Sequence, residues 1–162
     1  MREHEYTVEL PHSPARLWAL FQSYDLWKEF APAVLDVEIV EPGDAGGNGL
    51  VRKVTYPLPF GRKGVSFERV ENVKPEQGYD YLMMSSGLSG SVALEHIGPN
   101  RTRLRFREKF HMKTPVLRWF EAPIYRFINK KNEESMRGAA RWLQEHPEFR
   151  PELVEEARPQ AV

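Results

Sequence analysis

The chain has 162 residues, 41% apolar, 12% aromatic and 28% charged, and its 23 Lys+Arg balance 23 Asp+Glu to a net charge of zero. That is one domain's worth of core-forming material, without the cation surplus that general nucleic-acid binding requires and with no call for an anionic membrane surface. Cysteine is absent, which excludes disulfides, thiolate metal sites and cysteine nucleophiles; with no apolar signal core at the N-terminus and no run near the roughly 18–20 apolar residues of a membrane span, the expected setting is cytoplasmic, without membrane insertion.

Residues 3–10 alternate, with His4, Tyr6, Val8 and Leu10 on one face and Glu5, Thr7 and Glu9 on the other, which predicts a half-buried strand. Ser13 then offers an N-cap and Pro14 a first helical position, with Leu17, Trp18 and Phe21 as the apolar helix face. Asp25 is placed to cap a second short helix, DLWKEF, ending before Pro32. From about residue 35 to 113 the period becomes two, predicting strands near 35–41, 50–57, 64–73, 79–86, 90–97 and 102–112. The breaks, PGDAGGNG, PFGRK, KPEQG, SSG and GPN, are turn chemistry, and such short connections imply an antiparallel meander. After Thr114 and Pro115 helical spacing returns for about 30 residues along Leu117, Phe120, Ile124, Phe127, Ile128, Met136, Ala139, Trp142 and Leu143. Pro123 is expected to kink this helix and Gly138 to weaken it, and the Pro-containing polar tail 147–162 reads as appended or frayed.

The order strand, two short helices, six strands, long helix resembles the START-like, or Bet v 1-like, helix-grip superfamily, and within it the polyketide cyclase/dehydrase branch. The likeness rests on EYTVEL, SPARLWALFQSYDLWKEFAPAV, the Gly-rich turn, SVALEHI, RTRLRFREKF and the terminal helix, over about residues 3–145. It implies an α+β fold in which a curved antiparallel sheet of about seven strands wraps a long C-terminal helix, with a ligand-binding domain over 1–146. Carriers and cyclases share that fold, so the reaction does not follow from it.

A curved sheet around one helix leaves interior volume open, and strand parity predicts what lines it. On the last strand Leu104, Phe106, Phe110 and Met112 share a face with Glu108; on 64–73, Val65, Phe67 and Val73 bring Arg69 and Glu71; on 50–57, Leu50, Val54 and Tyr56 bring Arg52. On the next strand Tyr79, Tyr81 and Met83 share one face, but Leu82 and Met84 on the other leave its parity open, and on 90–97 Val92 and Leu94 bring His96. The expected ligand-binding set is therefore Arg52, Tyr56, Phe67, Arg69, Tyr81, Phe106, Glu108 and Phe110. A carboxylate among Phe and Leu must find a cation, find hydrogen bonds or take up a proton, so Glu108 is open to three roles: ion-pair partner of Arg52 or Arg69, polar anchor, or acid–base catalyst. His96 is either a proton shuttle or a solvent-exposed residue at a strand end. Asn132 and Ser135 add polar points to the cavity roof if they face the sheet.

Other motifs carry less. GDAGGNG lacks the GK[ST] ending of a phosphate loop, no HExxH or paired metal spacing is present, and no G-x-S-x-G elbow occurs. No metal and no cofactor are expected. In the strand order that the resemblance implies, the last strand lies between the first and the penultimate, so the ladder Arg103–Arg105–Arg107–Lys109 reads as a solvated face opposite Glu5, Glu9 and Glu95. The partner implied is a small hydrophobic molecule of lipid, polyketide or aromatic type. An enzyme acting on a poly-ketone chain and a protein-interaction module are the alternatives.

Overall fold

A computed structural model of the chain describes residues 2–86, 88–110, 119 and 121–152. Among these, seven strands form one antiparallel sheet in the order β1-β7-β6-β5-β4-β3-β2. They are β1 Arg2–Leu10, β2 Asp36–Glu41, β3 Val51–Pro57, β4 Lys63–Lys74, β5 Gly78–Met83, β6 Ser89–Gly98 and β7 Arg101–Phe110. Helices α1 (Pro14–Gln22) and α2 (Trp27–Phe30) separate β1 from β2, and α3 (Glu121–Glu145) closes the described chain. This is the α+β helix-grip architecture expected from the sequence, and the six strands after the short helices run as a meander.

Ser13 caps α1, its Oγ accepting from the Arg16 amide at 3.3 Å, with Pro14 in the first turn. Asp25 does not cap the second helix. It falls inside a 3-10 turn, Tyr24–Leu26, that leads directly into α2 without a side-chain cap. Pro123 lies in the first turn of α3, where its missing N–H leaves no bond unmade, so it does not interrupt the described helix; the expected helical stretch 114–120, apart from Trp119, lies outside the described residues. Gly138 is a close approach: a Cβ there would stand 2.0 Å from the Phe30 carbonyl oxygen. Any side chain would push α3 off the end of α2.

The core is built from Leu17, Leu20 and Phe21 of α1, Leu94, Leu104 and Phe106 of the sheet, and Ala139, Trp142 and Leu143 of α3. The first residues of the tail are not frayed. Arg16 holds the C-terminal end of α3 by donating to the carbonyls of Leu143, His146 and Phe149, and the Phe149 ring meets Trp142 edge-on. Residues 153–162 lie outside the description. No described helix is long and apolar enough to cross a membrane.

Candidate functional site

Between the sheet and α3 lies a cavity of about 220 Å³. Its walls are mostly apolar, including Phe21, Phe30, Val54, Val92, Phe106 and Met136, with polar groups on the sheet side and Lys131, Asn132 and Ser135 on the helix side.

The first polar group is an ion pair. The tight connection from β3 to β4 sets the register Tyr56↔Gly64, and counting back places Arg52 opposite Glu68 on the inner face. Arg52 Nε and Nη2 both donate to Glu68 Oε2 at 2.9 Å, and Ser66 Oγ donates to Glu68 Oε1 at 3.1 Å. The Arg52 side chain is 2% exposed, and four rings surround its guanidinium. The Trp27 centroid is 4.5 Å away, and those of Tyr24, Tyr79 and Tyr81 are 5.4, 5.5 and 5.7 Å away. Burial acts to discharge Arg52, but the oxygen of Tyr79 and the carboxylate of Glu68 outweigh it, so its pKa is raised and it stays charged. Arg52 Nη1 is buried with no hydrogen-bond partner among the described residues. The Tyr79 oxygen stands beside the guanidinium and helps hold its charge, and Nη1 has almost no surface open to the cavity.

The second group is Glu108. Tyr81, Gly90 and Glu108 stand side by side on β5, β6 and β7. A Cβ on Gly90 would come within 2.2 Å of the Tyr81 ring; glycine lets that ring lie across β6, and the phenol reaches Glu108 Oε1 at 2.8 Å. Asn132 of α3 donates to Glu108 Oε2 at 3.3 Å. No cation pairs with Glu108 among the described residues, and its neighbour on β1, His4, has a pKa lowered by burial. Burial, with the Glu68 charge adding to it, pushes Glu108 up to about 7 against the opposing hydrogen bonds from Tyr81 and Asn132. Tyr81 itself is held well above its usual pKa by burial and by Glu108, so it remains a donor.

Of the residues expected to form the site, Arg52, Tyr56, Tyr81, Phe106 and Glu108 line the cavity, as do Asn132 and Ser135. Four expectations need correction or stand apart. Phe67 and Arg69 lie on the outer, exposed face of β4, because its inner face is Ser66, Glu68 and Val70. Glu108 pairs with neither arginine, since Arg52 is taken by Glu68. His96 is exposed, at the end of β6 where a bulge at His96/Gly98 ends regular pairing. Phe110 is the last residue of β7, and its side chain lies outside the described set. Glu68 and Ser66 were missed because polar residues alternating with Val65 and Phe67 read as a solvent face. The signal was the hairpin: its short tip fixes which β4 residues stand opposite Arg52 and Val54.

Residues 1–146 match the family model described as polyketide cyclase / dehydrase and lipid transport. No curated protein matches the sequence. Among solved structures, the Zhui aromatase/cyclase from Streptomyces sp. R1128 superposes with a TM-score of 0.73 at 14% identity, over 90% of this chain and 95% of its own. A protein from Thermus thermophilus gives 0.71 at 16% identity, over 98% and 100%. A START superfamily protein from Mycobacterium smegmatis gives 0.63 at 14%, over 96% and 99%. At such identities the likeness speaks for the fold.

Proposed function

From the premise that this chain belongs to the polyketide cyclase/dehydrase and lipid transport family, we propose that it binds one small, largely apolar molecule carrying an oxygen acceptor. The observation that carries this is a cavity whose walls are mostly apolar and whose few polar groups converge, the Tyr56 phenol, Glu108 and Asn132 among them. A ketone, phenol or carboxylate oxygen meets a phenol or amide donor there without stranding a polar group of its own. The volume bounds the ligand. About 220 Å³ lies below the roughly 300–1,000 Å³ typical of drug-sized ligands and above the roughly 150 Å³ of a cavity that takes benzene. One or two rings, or a short acyl chain, fit those limits.

Trp27 lines the cavity beside Arg52, so its fluorescence reports occupancy. Titration with 2-naphthol is expected to quench it saturably, and native mass spectrometry of the purified protein to show a bound small molecule. No quenching by any apolar aromatic probe would remove the proposal.

A second reading, that of a cyclase, aromatase or dehydrase, is favoured by one further observation: Glu108 is poised near neutrality. An acid that is half protonated at working pH suits proton transfer, as in loss of water from a β-hydroxy ketone, where a carbon-bound proton leaves and the departing hydroxyl is protonated. Glu108→Gln is then expected to abolish turnover of such a ketone while 2-naphthol still binds. Full turnover in that variant removes Glu108 from the chemistry.

A further inference from the structure

β3, β5 and β7 end, and β1, β2, β4 and β6 begin, at one edge of the molecule. The cavity reaches this edge, where Pro57, Ser85, Ser86 and Leu88 line it and Ser85 is exposed. The same edge collects half of the exposed large apolar side chains among the described residues: Leu35 before β2, Phe60 at the β3–β4 tip, Met84 at the β5–β6 turn and Trp119 between β7 and α3. Phe60 is 101% exposed and Trp119 88%. Phe60 also holds a left-handed backbone, φ 63°, which is unfavourable for a bulky side chain. Nothing in the described fold packs on that ring.

On the β3–β4 tip the charges have one sign. The tip from Leu58 to Lys63 carries Arg62 and Lys63, both exposed, and no acid; the turn from Met84 to Leu88 carries no charge. Acids stand at this edge too: Glu3 and Asp36 at the starts of β1 and β2, and Glu121 at the start of α3, where it pairs with Arg2. The cation excess is confined to the β3–β4 tip.

We propose that this edge docks on an anionic lipid bilayer, Phe60 and Trp119 entering the interface while Arg62 and Lys63 meet phosphate headgroups. Apolar rings flanked by cations on tips at one edge are the chemistry of interfacial binding rather than of spanning. Docked so, the cavity mouth faces the apolar phase, and a poorly soluble ligand passes between bilayer and cavity without crossing water. Docking stands independently of the ligand proposal, because it is measured with no ligand present.

The test is co-sedimentation with vesicles of phosphatidylcholine alone and with about 30% phosphatidylglycerol. Wild type is expected to bind the anionic vesicles, to bind the neutral ones at least about tenfold more weakly, and to release at about 0.5 M salt. Phe60→Ser/Trp119→Ser and Arg62→Glu/Lys63→Glu change exposed side chains, so circular dichroism melts are expected to match wild type while vesicle binding falls about tenfold in each. Absence of binding to anionic vesicles, or undiminished binding by both folded variants, overturns the proposal. So does a wild-type dimer in sedimentation velocity that Phe60→Ser/Trp119→Ser splits, which would assign the edge to a second copy of the chain.

Discussion

The sheet carries arginine–glutamate pairs on both of its faces, and the two faces use them differently. On the convex side Arg103 reaches Glu9 and Glu95, and Arg107 reaches Glu5, with side chains about 40–60% exposed. Water and salt screen such pairs, and ordering two long side chains offsets much of what remains. On the concave side Arg52 and Glu68 make the same kind of cross-strand pair almost fully buried, where losing either partner leaves an uncompensated charge. Residue type and register are alike on the two faces. Burial alone separates a solvated ladder from a polar site held at a cost to stability.

The largest test of that contrast is Arg52→Ala, which strands Glu68 and is expected to cost about 3–5 kcal/mol in urea unfolding. Arg52→Met/Glu68→Leu removes both charges and is expected to recover most of that loss. A double variant as unstable as the single one would mean that packing, rather than charge, fixes the pair.

Next is pH. Glu108 titrates near 4.5 when unfolded and at about 7 when folded. Below 4.5 both states hold the proton; between the two values only the folded state holds it. Stability therefore falls as pH rises through that window, by about 3 kcal/mol in all, and levels off above about pH 7. Glu108→Gln is expected to flatten this part of the profile, and an unchanged slope would place the titration elsewhere.

Gly90→Ala is expected to cost about 1–3 kcal/mol by overpacking and to pull Tyr81 off Glu108, raising the carboxyl's midpoint further. At the small end, Arg107→Ala breaks a 2.9 Å ion pair yet is expected to change stability by no more than about 0.5 kcal/mol. A loss near that of Arg52→Ala would erase the distinction between the faces.

The meander and most element boundaries were legible, because period-two patterning and turn residues are local signals; the place of β7 between β1 and β6 came with the family resemblance. The inward placement of Arg52 and Glu108 followed from parity on β3 and β7, where apolar neighbours mark the buried face. On β4 the same rule failed, since Val65 and Phe67 sit on the exposed side (50% and 41%) and the buried face holds Ser66 and Glu68. A cavity wall that needs polar groups inverts the hydrophobic pattern, and register alone recovers it. The Tyr81–Glu108 bond depended on a glycine in the strand between them, which pairwise parity does not reveal.

The account stands most directly on the affinity of Arg52→Met/Glu68→Leu for 2-naphthol, measured by Trp27 quenching beside its urea stability. If the buried pair is kept for its ligand, the variant is expected to stay as stable as wild type or nearly so and to bind at least about tenfold more weakly. A stable variant that binds 2-naphthol as tightly as wild type would contradict it.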